Sequence, residues 1–266
     1  MRSRVEIVAD VADDGTTVLA RLHADGALAV RRTGPARVHL VGTAAGPLDG
    51  DVVDVHVVVR AGALLTVEGV AATIALPGLG HVPATWALAA DVGAGARLVC
   101  APQPLVVCAG ARLRTRTAVT LAADASLDLV EQVVLGRFGE PGGDWTGRIV
   151  ADVDGVPVLR QSQSAGLLTA GPRRAGDSAP RAIVSRLLFG AAVGQATPAV
   201  CGDAVACPLA AGGMLLTALG PDLRRALRGL DGVREPSSPA RVSPAASRAG
   251  TSPAAGSGST AAPAGR

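Results

Sequence analysis

Residues 51–60, DVVDVHVVVR, place Val53, Val55, Val57 and Val59 on one side of an extended chain and Asp54, His56 and Arg60 on the other. Side chains alternate in this way along a strand and not along a helix, so the segment reads as a half-buried β-strand. Arg112, Arg114 and Arg116 alternate with Leu113, Thr115, Thr117 and Val119 in the same manner. Runs of this kind, broken by Gly, Ala or Asp turns roughly every ten residues, fill residues 1–160 and predict a mainly β architecture. Residues 57–65, 90–98 and 120–129 share one plan, in which a strand ends, small residues turn and another strand begins. Gly62, Gly95 and Ala125 are read as equivalent turn positions, and their period of about 30 residues predicts stacked β-coils.

Composition narrows the reading further. Of the 266 residues 48% are hydrophobic and only 2% aromatic, so the core is built from Val, Leu and Ala. The chain has no Lys, no Tyr and no Asn, which excludes a P-loop lysine and a Schiff-base lysine. Residues 1–233 carry 21 Arg against 21 Asp and Glu, and the formal net charge of +3 comes from the residues beyond. Without a net field or aromatic rings to stack on bases, nucleic-acid binding is not expected. No signal-like apolar run opens the sequence, and no stretch reaches the ~18 apolar residues of a membrane span. A cytoplasmic location is expected. Four Cys in a chain of this length make no disulfide scaffold.

Residues 234–266 are rich in Ser, Pro, Ala and Gly and offer nothing to offset the entropy of ordering. A disordered tail is expected there, after a β-rich domain spanning residues 1–233. Just before it, Leu223, Leu227 and Leu230 recur at helical spacing, and with Pro221 at the opening of residues 222–229 and Gly229 at the end they predict a short amphipathic helix. Residues 182–193, AIVSRLLFGAAV, fit either a helix with Ile183 and Leu187 on one face or a buried strand pair, and the helix is the reading preferred.

Metal-ligand spacing is missing: His23, His39, His56 and His81 lie far apart, and Cys100, Cys108, Cys201 and Cys207 are too widely spaced for a zinc knuckle. The cysteines read as small buried hydrophobes. There is no G-x-S-x-G elbow, and the glycine-rich residues 136–143 read as connection. More informative are the acids set in apolar strands, namely Asp51, Glu68 and, within LDLVEQVVL, Glu131. Such a carboxylate needs a partner, a water-filled cavity or a sheet edge. An outward position or an ion pair with Arg satisfies each one. Carboxylates lining an internal passage would instead suit transit of a divalent cation, because oxygen donors without thiolates hold such metals weakly.

Four blocks in order resemble the UreD (UreH) urease accessory proteins. They are GPLDGD at 46–51 before the valine strand, AGALLTVEGVAAT at 61–73, PQPLVVCAGAR at 102–112, and EQVVLGRFGE at 131–140 followed by Trp145 and Asp154-Gly155. Pro47 and Asp49 break the glycine run usual before Asp51, and Val130 replaces the aromatic usual before Glu131. The resemblance implies a β-helical fold of two sheets with a small helical part, acting as a non-enzymatic metallochaperone. It implies binding to UreF, to the GTPase UreG through UreF, and to apo-urease, with a dimeric arrangement inside the complex. No tightly bound cofactor is implied, only Ni2+ in transit through an internal tunnel. Asp51 and Glu131 match the motifs and are the candidate passage residues, and Glu68 joins them from the residue reading alone. The mean hydropathy of +0.37 suits a protein whose surfaces are covered by partners. Two alternatives stay open: a carboxylate-using hydrolase on a β scaffold, and a metal-independent interaction module.

Overall fold

The alternating segments form strands. A computed structural model describes residues 1–80, 82–166, 180–190, 193 and 197–234. In chain order the strands begin with β1 (Arg2–Val11), β2 (Thr17–Asp25), β3 (Leu28–Gly34), β4 (Arg37–Gly42), β5 (Val52–Val59) and β6 (Leu64–Gly69). Next come β7 (Thr73–Ala75), β8 (Ala84–Val92), β9 (Arg97–Ala101), β10 (Leu105–Val107), β11 (Arg112–Leu121) and β12 (Ser126–Leu135). The series closes with β13 (Asp144–Val153), β14 (Val156–Ala165), β15 (Ala182–Phe189), β16 (Ala199–Cys201), β17 (Ala204–Pro208), β18 (Met214–Gly220) and the helix α1 (Leu223–Arg234).

From β4 to β13 the chain passes back and forth between two sheets, which is the stacked-coil plan. The first sheet runs β14-β13-β11-β8-β5-β1-β2 and the second β16-β17-β18-β15-β12-β9-β6-β4-β3. Their central strands pair in parallel with their neighbours one coil on, 33 residues from β5 to β8, 29 from β8 to β11 and 32 from β11 to β13. Val55, Val57, Leu88, Ala90, Val119 and Leu121 from the first sheet meet Leu65, Val67, Leu98, Leu127 and Leu129 from the second in one buried core.

The coil is stitched at its turns. In each, the fourth residue's N–H donates to the first residue's carbonyl: Ala63 to Arg60, Ala96 to Gly93, Ala111 to Cys108 and Ala125 to Ala122. The four alanines are almost completely buried, because a larger side chain would hold neighbouring coils apart. Gly62, Gly95 and Gly110 take positive φ at the third position. The turns also bond to one another, Gly62 N–H to the Ala94 carbonyl at 2.8 Å and Gly95 N–H to Asp124 Oδ1 at 3.0 Å. This corrects the repeat by one residue. Asp124, not Ala125, stands opposite Gly95, and Ala125 corresponds to Ala63 and Ala96.

Residues 182–189 are strand β15 and not a helix. One face, with Leu187 and Phe189, joins the main core, while Ala182 and Val184 on the other pack under α1 with Ala218, Ala226 and Leu230. A strand buried on both faces is a continuous apolar run, which periodicity cannot separate from a helix. The expected helix at 222–229 exists but continues to Arg234. Asp222 caps it by accepting the Arg225 N–H at 2.8 Å. Gly229 does not end it: a Cβ there would lie 3.3 Å from the Ala204 methyl, so glycine lets the helix sit close on the sheet. Apart from Arg234, the expected tail lies outside the described residues.

Replacing Ala96 by Leu should force the coils apart and cost about 1–3 kcal/mol, read as a lower denaturant midpoint at unchanged slope.

Candidate functional site

A break in the second sheet creates the site. The long strand β12 pairs with β9 over Ser126 to Leu129 and with β10 over Val133 to Leu135, leaving residues 130–132 unpaired on that side. Pro102 and Pro104, which cannot donate to a ladder, lie between β9 and β10. One coil below, residues 70–72 interrupt β6 and β7 in the same way. A small cavity of about 50 Å³ opens at this gap, lined among others by Gly69, Thr73, Gln103, Leu105, Thr117 and Glu131.

Glu131 faces inward. It continues the alternation of Leu127, Leu129, Val133 and Leu135, with Leu129 in the main core and Val133 in a second cluster around Trp145 and Leu105. Across the interior, β11 presents Thr115 and Thr117, both buried, between Leu113 of the second cluster and Val119 of the first. A polar layer thus separates two apolar cores. Burial pushes the Glu131 carboxyl up to about 7, against the pull of hydrogen bonds from the Thr115 and Thr117 hydroxyls. The Trp145 indole N–H donates to Thr115 Oγ1 at 3.1 Å, which leaves the hydroxyl hydrogen for Glu131. Gly147 makes room for that indole, since a Cβ there would stand 2.2 Å from the Trp145 ring.

Asp51 lines a second pocket of about 360 Å³ together with Met1, Pro47, Val70, Thr73, Trp86 and Arg137. Leu28, Gly42, Ala71, Thr73 and Trp86 line both spaces, so the two adjoin. Asp51 is buried, and burial alone would raise its pKa. Hydrogen bonds from the Met1 ammonium and from the Leu48 N–H, the latter at 2.9 Å, outweigh it and hold the carboxylate below its ordinary value. Neighbouring Asp49 grips Arg112 at 3.1 Å.

The third candidate stands apart. Glu68 alternates with the buried Leu65 and Val67, points outward from the second sheet, and meets Arg37 at 3.3 Å and His39 at 3.4 Å. It lines neither cavity. Cys100 and Cys108 are buried, and burial pushes the Cys100 thiol up to about 12, but Cys201 and Cys207 are exposed, contrary to their reading as core residues. Cys207 alternates with the buried Ala204 and Ala206 on β17 and so points outward, while Cys201 ends the short strand β16 beside Gly232 of α1. Among the described residues, no three His, Cys, Asp or Glu side chains converge as a metal site.

Sequence reasoning missed four residues around the cavities. Thr115 and Thr117 were visible only as strand alternation, although their shared parity with Leu113 and Val119 marks them as inward. Arg137, in the 136–143 loop, lines the Asp51 pocket and binds Glu140 through two nitrogens. That loop is held by Arg181, whose guanidinium donates to the carbonyls of Leu135, Arg137 and Glu140 at 2.7–3.1 Å. Nothing in the sequence links Arg181 to a loop 41 residues upstream.

Two coiled sheets packed on apolar cores, with one carboxylate at each of two adjoining cavities, define a β-solenoid protein. The chain belongs to the UreD family: the family model described as UreD urease accessory protein matches residues 2–248. The urease accessory protein UreD of Parafrankia sp. (strain EAN1pec) is 42% identical, with 88% of this chain and 89% of that protein covered. Those of Streptomyces coelicolor and Frankia alni are 37% and 35% identical, covering 87% and 86% of this chain and 95% and 92% of theirs. No helix among the described residues is long and apolar enough to cross a membrane.

Between the ordinary carboxyl value near 4.5 and about 7, folded Glu131 keeps a proton that the unfolded chain releases. The unfolded state therefore binds fewer protons, and stability falls as pH rises through that window and levels off above it. Glu131→Gln removes this penalty. It should stabilise the protein on the order of 2 kcal/mol at pH 8 and little at pH 4.5, as measured by urea unfolding at both values.

Proposed function

We propose that this chain serves the maturation of urease as a non-catalytic scaffold. In this reading it binds apo-urease and UreF, with UreG held through UreF, and passes nickel toward the urease active site along its interior. The complex acts in the cytoplasm and contains the chain in a dimeric arrangement. Membership of the UreD family supports the urease role, since the relatives carry the name urease accessory protein. The observation that carries the nickel role is the inward Glu131 carboxylate at a gap in the sheet, adjoining the pocket of Asp51.

The chemistry of these donors suits cargo better than a resident ion. Isolated carboxylates and hydroxyls bind a divalent cation weakly and release it, whereas thiolate or imidazole clusters retain it. A group that titrates near neutral pH exchanges its proton for a cation at little cost. Asp51 already holds an ammonium, so a metal there would take the place of a positive charge and not bring a new one into a neutral site.

Expression of the source operon in a urease-free host tests this. Nickel per urease and urease activity should both fall when this chain is omitted. They should fall severalfold with Asp51→Asn/Glu131→Ala while the complex still co-purifies. Equal nickel occupancy for wild type and double variant would remove the passage role, and full activity without the chain would remove the maturation role.

A further inference from the structure

The outer face of the first sheet carries a cationic patch that the interior chemistry does not use. Arg114 and Arg116 project from β11 and Arg148 from β13, all exposed. Arg116 stands directly opposite Arg148 in the parallel register. Like charges at opposed positions destabilise a sheet. Elsewhere on this sheet, Arg21, Arg112 and Arg160 each hold a carboxylate. Among the described residues the three arginines of the patch hold none. Their neighbours in register are small: Thr85 and Ala87 on β8, Thr146 on β13 and Ser162 on β14. Among the described residues, no carboxylate stands directly opposite any of the three in register.

We propose that this face docks an acidic segment of a protein partner in the maturation complex. The proposal rests on the urease-maturation reading for the partner's identity and on the patch alone for its chemistry. Guanidinium is weakly hydrated and binds carboxylates through two parallel hydrogen bonds, so three unpaired copies on a rigid sheet suit a run of Asp or Glu. The chain's own tail is a poor occupant, since residues 234–266 carry four Arg against one Glu. A second copy is also poor. On the far half of the same face, Glu6, Asp25 and Asp91 already meet Arg21, His23 and His56. Nucleic acid would call for stacking rings, and this chain has two Trp and two Phe in all.

The test is co-purification of full-length chain with the co-expressed operon proteins. In the triple variant Arg114→Glu/Arg116→Glu/Arg148→Glu, one operon protein should be lost roughly tenfold or more relative to wild type, and in wild type its recovery should fall with added salt. Arg116→Gln/Arg148→Gln removes the opposed charges without adding new ones. It should melt no lower than wild type and still lose that partner, so a folding defect cannot imitate the result. Unchanged recovery of every operon protein overturns the proposal, as does nucleic acid in the wild-type preparation that vanishes in the variant, or a shift from dimer to monomer as the only change. Urease activity separates the two readings. Loss of the partner in a host where the chain proves dispensable for activity would sink the maturation role and leave the docking face standing.

Discussion

A buried alanine methyl at each turn sets the distance between coils, and the rest of the molecule follows from that distance. Ala63, Ala96, Ala111 and Ala125 let one turn lie against the next closely enough for Gly62 to bond Ala94 and Gly95 to bond Asp124. With the pitch fixed, the parallel register is fixed, and with it the parity of every strand. A one-residue slip would turn Thr115, Thr117 and Glu131 out to solvent and bring Arg114, Arg116 and Gln132 inside. The polar layer and the cationic face are therefore two sides of one register.

Within that frame two carboxylates face the same connected interior with opposite tendencies. Glu131 accepts from the neutral Thr115 and Thr117 hydroxyls, so burial dominates and favours its protonated form. Asp51 has an ammonium and a backbone N–H, and these override burial and keep it ionised. Placing acids in surroundings that push them apart is how one scaffold obtains different protonation states at one pH. The arrangement is supported from behind by Trp145 on Thr115, by the missing side chain at Gly147, and by Arg181 bracing the loop that carries Arg137.

Much of this was legible in the residues. The valine alternation at 52–59 and the small-residue turns reported strands and coils, because a strand half-buried on one side leaves a period-two record. β15 left no such record, being covered on both sides by the core and α1. The turn at 122–125 shifted by one residue in the reading because Asp124 replaces glycine with a side-chain acceptor, a substitution invisible to a search for small residues. Glu131 was singled out as an acid among apolar neighbours, and its parity with Leu129 and Val133 already gave its direction. Glu68 showed the same local contrast but shares the outward parity of Thr66, out of step with the buried Leu65 and Val67. The gap that makes the cavity was written in Pro102 and Pro104, yet its effect depends on β12 running past both broken strands. That is a relation across coils.

The parallel coil also dictates the order in which the chain becomes safe during synthesis. A hairpin strand finds its mate within a few residues, but β11 has its far edge open until β13, 32 residues later, has left the ribosome. At about 5–20 residues per second that is a wait of some seconds for each coil, with an unpaired strand edge exposed throughout. Only the antiparallel strands β2 and β14, which fold back on β1 and β13, end the wait at the two margins of the first sheet. The nascent chain is thus most vulnerable to wrong pairing while its middle is being made. A slower pace of translation across that middle lengthens the exposure.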